Sequence, residues 1–69
     1  MNTLISLGKR IHYLRKQRGL SQEDLALECD INRNYLSDLE RGRRNPSLLI
    51  LDRIARGLNI TLEELFKGI

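Results

Sequence analysis

The amino-acid sequence predicts an all-α fold: a compact bundle of five helices joined by short loops. Apolar residues recur with the 3.6-residue period of a helix in successive segments. Capping residues and glycines bound these segments where helices are expected to start and stop. No segment shows the alternation of a half-buried strand. Because 69 residues leave room for one hydrophobic core, residues 1–69 are expected to form a single domain.

The first helix is predicted to begin at Leu7, after a short leader, residues 1–6, that frays or contacts a partner. Leu7, Ile11 and Leu14 form one apolar stripe, and Gly19 is expected to end the helix. The opposite face is basic and carries Lys9, Arg10, Lys16 and Arg18.

The central segment, residues 22–41, predicts two short helices joined by a tight turn. Ser21 is expected to cap the second helix, with Asp24 completing a short capping box. Asp30 is expected to adopt a positive φ in the turn, which Asp tolerates better than most residues, and Asn32 to cap the third helix. The residues expected to face inward are Leu25, Ala26, Cys29, Ile31, Leu36 and Leu39.

The remaining chain predicts two more helices. Gly42 is expected to end the third helix and Ser47 to begin the fourth, with Gly57 as a weak point near its end. Thr61 is expected to cap a fifth helix that ends at Gly68. The apolar residues of the fourth helix are Leu48, Leu51, Ile54, Ala55 and Leu58, and those of the fifth are Leu62, Leu65 and Phe66.

Composition limits the possible functions. The apolar fraction of 41% and charged fraction of 30% are typical of a globular domain, and the net charge of +3 mildly favours a polyanionic partner. No apolar run is long enough to span a bilayer, and the single cysteine fits a reducing cytoplasm. We expect no metal, cofactor or small-molecule ligand, and no enzymatic activity. His12, expected to be partly exposed, has no adjacent nucleophile or paired carboxylate, and Cys29 is interpreted as a core residue rather than a redox sensor.

Helix geometry sorts the third helix, predicted over residues 33–41, into two faces. Leu36 and Leu39 lie on the inner face. The outer face carries only side chains that donate or accept hydrogen bonds: Arg33, Asn34, Ser37, Asp38 and Arg41. By composition alone, this is an ordinary solvated surface.

The segments "RGLSQEDLA" and "LERGRRNPSL", with the central twenty residues between them, resemble the Cro/CI-type (XRE-like) helix-turn-helix family. The style is close to that of restriction–modification controller proteins, and the resemblance covers Leu7 to Phe66. It implies a lambda-repressor-like domain that regulates transcription by placing its third helix in the major groove of DNA. The family usually has glycine where this chain has Asp30.

Five residues of the third helix are predicted to contact bases: Arg33, Asn34, Ser37, Asp38 and Tyr35. Arg33 suits the O6 and N7 atoms of guanine, and Asn34 the N6 and N7 atoms of adenine. Ser37 is an adaptable reader. Asp38 either accepts a hydrogen bond from cytosine N4 or orients a neighbouring arginine, Arg33 or Arg41.

The resemblance also implies contacts to the DNA backbone. Gln22 is expected to bond a phosphate at the start of the second helix. Tyr35 lies at the edge of the outer face of the third helix (the reading face), where its ring is expected to pack on the scaffold while its hydroxyl reaches a phosphate or a base edge. A second phosphate clamp is expected at Arg41, Arg43, Arg44, Asn45 and Ser47. Two alternatives remain for this loop: Arg43 or Arg44 enters a narrow minor groove, or the charges are merely solvated.

The resemblance assigns Arg15 and Glu40 to a structural ion pair between the first and third helices. Four consecutive apolar residues, 48–51, are more than one core face can bury. They suggest a homodimer interface composed of Leu49, Ile60, Phe66 and Ile69.

Such a dimer is expected to bind a (pseudo)palindromic double-stranded DNA operator and to exclude or recruit RNA polymerase. The alternative is an antitoxin-like or other protein-binding module that uses the same fold. No membrane partner is expected.

Overall fold

The computed structural model describes residues 2–69, and within them the prediction of an all-α fold is confirmed. The five helices are α1 (Thr3–Gln17), α2 (Gln22–Cys29), α3 (Arg33–Glu40), α4 (Leu48–Gly57) and α5 (Leu62–Leu65). None of them is long and apolar enough to cross a membrane.

Helix α1 begins earlier than the sequence predicted. The Asn2 side chain accepts hydrogen bonds from the backbone N–H groups of Leu4, at 2.9 Å, and Ile5, at 3.3 Å. This cap starts the helix at Thr3, so the prediction of a fraying leader is wrong for residues 2–6; Met1 lies outside the described residues. At the other end the chain reverses at Gly19, whose φ is +68°.

The turn between α2 and α3 follows the prediction. Ser21 Oγ accepts from Asp24 N, and Asp24 Oδ2 accepts from Ser21 N, each at 3.0 Å, which completes the capping box. Asp30 has a φ of +55°. Asn32 caps α3, which ends at Glu40, one residue before the predicted end at Arg41.

Two expectations about the last helices are wrong. Leu48 is 65% exposed, because it is the first residue of α4 and burial increases along the helix toward Ile54 and Leu58. Helix α5 ends at Leu65 rather than Gly68, and the chain turns over its last residues.

The buried core lies between all five helices: Leu7, Ile11, Leu25, Ala26, Cys29, Leu36, Leu39, Ile54, Ala55, Leu58 and Leu65. Two basic residues, Arg10 in α1 and Arg18 directly after it, tie this helix to the C-terminal part of the chain. Arg10 Nη2 donates to the Glu64 carbonyl at 2.8 Å, and Arg18 Nη1 donates to the Leu58 carbonyl at the end of α4.

Two glycines permit close helix contacts. A Cβ atom on Gly8 would lie 2.5 Å from the Leu39 carbonyl oxygen, so only glycine lets α1 approach α3 this closely. A Cβ atom on Gly57 would lie 2.5 Å from Cys29 Sγ. Gly57, expected as a weak point of the fourth helix, therefore has a packing role as well, since its missing side chain makes room for the α2–α4 contact.

Candidate nucleic-acid interface

The outer face of α3 is open to solvent while its inner face is anchored. Leu36 and Leu39 are 0% and 1% exposed, respectively. Arg33 and Asn34 are exposed at the start of the helix, and Ser37 is half-buried one turn later. The helix thus presents long polar side chains on a rigid support.

A buried ion pair fixes α3 against α1. Arg15 Nε donates to Glu40 Oε2 at 2.7 Å, and Arg15 Nη2 donates to Glu40 Oε1 at 2.9 Å. Only 7% of the Arg15 side chain and 5% of the Glu40 side chain are exposed. The hydrogen bond to Glu40 raises the pKa of Arg15, so this guanidinium stays charged.

Two more side chains converge on the same carboxylate. Gln22 Nε2 donates to Glu40 Oε1 at 3.2 Å, and His12 Nδ1 lies 2.9 Å from that oxygen. Burial raises the pKa of Glu40, but the hydrogen bonds from Arg15, His12 and Gln22 outweigh it and hold the pKa below its ordinary value. The Glu40 carboxylate at the end of α3 therefore links this helix to Gln22 at the start of α2.

This convergence was not predicted. The family resemblance implied a DNA phosphate as the partner of Gln22, and the sequence gave His12 no role. Gln22 and Glu40 are 18 positions apart, and His12 and Glu40 are 28 apart, so no local period relates them. Since an amide has two N–H donors, Gln22 retains one for a second acceptor.

Asp38 contacts Arg44, rather than Arg33 or Arg41 as the sequence suggested. Arg44 Nε lies 3.4 Å from Asp38 Oδ2, and Arg44 Cζ lies 5.3 Å from the centroid of the Tyr35 ring. The backbone N–H of Arg43 donates to the Asp38 carbonyl at 2.9 Å, which brings the loop against α3. Asp38, Arg44 and Tyr35 thus form one cluster at the edge of the reading face.

The loop after α3 is exposed and strongly basic. Residues 33–47 include four arginines and two carboxylates. Asp38 contacts Arg44, and Glu40 is buried against Arg15. Ser47 caps α4 by accepting from Ile50 N at 3.2 Å, so its hydroxyl proton remains available to an acceptor. All five residues of the expected phosphate clamp are exposed: Arg41, Arg43, Arg44, Asn45 and Ser47.

The residues of the suggested dimer interface differ in exposure. Leu49 is 75% exposed, whereas Phe66 and Ile69 are 37% and 39% exposed. Ile60 packs partly against the core. Leu48, not included in the prediction, adds a second exposed leucine at the start of α4.

Cys29 lies in the core at 2% exposure. Burial, with a smaller contribution from the Glu28 charge, raises the pKa of its thiol to about 11. A thiol so rarely ionised is unreactive, which agrees with its interpretation as a packing residue. No group of three or more potential metal-ligating side chains occurs within residues 2–69.

The chain matches a helix-turn-helix family model over residues 11–65. It is 47% identical to the control protein C.MunI from Mycoplasma sp. over 66 residues, covering 94% of this chain and 89% of that protein. It is 38% identical to the control protein C.BamHI from Bacillus amyloliquefaciens, covering 93% and 80%. The crystal structure of the restriction-modification controller protein C.AhdI from Aeromonas hydrophila superimposes with a TM-score of 0.90 at 43% identity, covering 91% of this chain and 96% of that one. The chain therefore belongs to the XRE-type helix-turn-helix family of DNA-binding transcriptional regulators.

Proposed function

We propose that this regulator binds a (pseudo)palindromic DNA operator as a homodimer, with α3 of each copy in a major groove. The observation that carries the proposal is the open polar face of α3 beside an arginine-rich loop. Arg33 and Asn34 supply the bidentate donor and acceptor groups that guanine and adenine display in the major groove. Ser37 and Asp38 lie one turn further along the helix and would read the neighbouring base pairs.

Contacts to the backbone would set the position of α3 in the groove. Gln22 offers its second amide proton to a phosphate at one side. The loop carrying Arg41, Arg43 and Arg44 offers positive charge at the other side. Because Glu40 contacts both Arg15 and Gln22, the phosphate contact and the base readers would share one rigid support.

The size of the protein supports a dimer. An eight-residue helix is about 12 Å long and reaches only part of one groove. The molecule measures 30 × 22 × 22 Å, so one copy does not reach two half-sites that lie about 34 Å apart. The exposed leucines Leu48 and Leu49 at the start of α4, together with the partly exposed Phe66 and Ile69 after α5, offer apolar surface that two copies would share.

Regulation would follow from occupancy of the operator. A dimer bound near a promoter excludes RNA polymerase or, at an adjacent site, recruits it. In this proposal residues 1–69 act as one DNA-binding domain in the cytoplasm, and the protein binds rather than catalyses.

Fluorescence titration of a labelled random duplex at about 50 and about 200 mM salt tests this function. A dimer that makes about six phosphate contacts should lose roughly a thousandfold in affinity between the two conditions. The variant Arg43→Gln, which removes one exposed charge without touching the core, should flatten this dependence. Absence of binding at either salt concentration would instead favour a protein-binding module. Selection from a random DNA pool should then yield a palindromic consensus, and a consensus without two-fold symmetry would exclude the homodimer.

A further inference from the structure

The cluster of Asp38, Arg44 and Tyr35 places a negative charge on a surface that should meet the negative backbone of DNA. Asp38 is 32% exposed in its side chain and Arg44 is 52% exposed, so both groups are accessible to a bound duplex. A carboxylate at this position weakens DNA binding unless a cation offsets it. The structure supplies that cation from the same chain, through Arg44.

Arg44 is held from two sides. Its Nε lies 3.4 Å from Asp38 Oδ2, and its guanidinium carbon lies 5.3 Å from the Tyr35 ring centroid. Its neighbour Arg43 contacts Asp38 through its backbone, with the N–H 2.9 Å from the Asp38 carbonyl, and its side chain is exposed. Of these two adjacent arginines, Arg44 is the one whose side chain contacts residues of α3.

We propose that Asp38 determines specificity by restraining Arg44: it keeps this arginine from the phosphates of unrelated DNA and releases it on the operator. The inference rests on the proposed function and identifies how two of its residues act together. Asp38 is a positioning residue for Arg44 as well as a base reader.

The restraint depends on what faces Asp38 in the groove. Cytosine N4 and adenine N6 are donors, and either one at this position replaces the guanidinium as partner of the carboxylate, so Arg44 moves to a phosphate without leaving Asp38 unpaired. Guanine O6, thymine O4 and the purine N7 atoms are acceptors and repel the carboxylate. On such sequences the release of Arg44 would leave an unpaired negative charge against the DNA, so Arg44 remains on Asp38. An exposed ion pair is weak enough for this exchange to be reversible.

The test compares salt dependence in a double-mutant cycle. The variant Asp38→Asn keeps the size of the side chain and removes its charge, so Arg44 should bind phosphate on any sequence. Because each added phosphate contact steepens log K against log salt by about 0.9, a dimer should gain about 1.8 on random duplex. Between about 50 and about 200 mM salt this corresponds to a roughly tenfold larger loss of affinity. On the operator selected from a random pool the slope should stay unchanged, since Arg44 is already released there.

Removing the Asp38 charge could also change binding simply by removing its repulsion of the DNA phosphates. Two further variants, Arg44→Gln and Arg43→Gln, distinguish this effect from the release of Arg44. When Asp38→Asn is added to a protein that already carries Arg44→Gln, the salt dependence on random duplex should not steepen. When Asp38→Asn is added to a protein that carries Arg43→Gln, the matched control, the salt dependence should steepen as it does in the natural protein. An equal change in both backgrounds, or a higher affinity with an unchanged slope, would overturn the inference while leaving the proposed function intact. Failure of the unmodified protein to bind any duplex would overturn both.

Discussion

Glu40 shows at the residue scale how a buried charge can organise a binding surface. Its carboxylate contacts Arg15 on α1, Gln22 at the start of α2 and His12, and it is itself the last residue of α3. A buried ion pair contributes little net stability compared with an apolar pair, but loss of one partner leaves the other charge uncompensated. Glu40 is therefore important for both stability and the placement of Gln22.

Replacing Glu40 with glutamine should destabilise the protein at pH 7 by about 3 kcal/mol, because the buried Arg15 guanidinium loses its counter-ion. For a domain of this size this lowers the melting temperature by roughly 12–24 °C. Affinity for DNA should fall as well, since Gln22 loses its support. Circular dichroism melting measures the first effect, and Glu28→Gln, an exposed carboxylate on α2, serves as the control.

The destabilisation should depend on pH in a defined direction. The folded-state pKa of Glu40 is lowered from its ordinary value of 4.5, so the carboxylate stabilises the fold fully above about pH 5. Its contribution is lost as pH falls through 4.5 and then through the lower folded-state pKa. The difference in melting temperature between the natural protein and Glu40→Gln should thus shrink below pH 4.5. A difference that stays constant down to pH 3 would show that the carboxylate charge is not the cause.

At the element scale, the ends of the helices depend on capping residues that can be identified from the sequence. The packing of the helices depends on contacts that cannot. Asn2, Ser21, Asn32, Ser47 and Thr61 each cap the helix that follows. All except Asn2 were identified from sequence, because a short polar residue before an apolar period is a local signal. The roles of Gly8 and Gly57 were not identified, since they depend on which helix lies opposite.

Gly57→Ala tests such a contact. Alanine favours a helix over glycine by about 1 kcal/mol, so local propensity predicts stabilisation. The added Cβ would lie 2.5 Å from Cys29 Sγ, and overpacking of this kind costs about 1–3 kcal/mol. We therefore expect a lower melting temperature.

The variant Cys29→Ala removes the sulfur that the new Cβ would meet. In this background Gly57→Ala should become neutral or stabilising. Urea denaturation of the four proteins measures the coupling, and an equal effect of Gly57→Ala in both backgrounds would show that the sulfur is not the obstacle.

At the scale of the whole molecule, a small compact domain carries both a basic surface and an exposed apolar surface. The radius of gyration of 10.5 Å is close to the value of about 11 Å expected for a compact chain of this length. A domain this small gains little stability from one core, so burial of its exposed leucines in a dimer would add to it. The arginine-rich loop after α3 ends at Ser47 and the exposed leucines Leu48 and Leu49 follow directly in α4, so DNA binding and dimerisation would use neighbouring surfaces.

If the proposed dimer uses this surface, Leu49→Glu should convert it into monomers, because a charge on each copy would face apolar surface or a like charge. Analytical ultracentrifugation measures the change, and affinity for a two-half-site operator should fall in parallel. The matched control is Leu27→Glu, which places the same charge on an equally exposed leucine of α2. Persistence of the dimer in Leu49→Glu would place the interface elsewhere.

The sequence by itself determined the order of the five helices, though not the start of α1 or the end of α5, together with the turn at Asp30 and the polar face of α3. These depend on residues a few positions apart, so period, caps and turn residues are sufficient to reveal them. The family resemblance identified the partners Arg15 and Glu40. Only the tertiary structure decided that Gln22 and His12 share that carboxylate, that Gly8 and Gly57 permit helix contacts, and that Asp38 holds Arg44. Some of these contacts join residues far apart in the sequence, which local periodicity does not relate. Others depend on the path of a loop. In both cases only the packing of the whole chain brings the groups together.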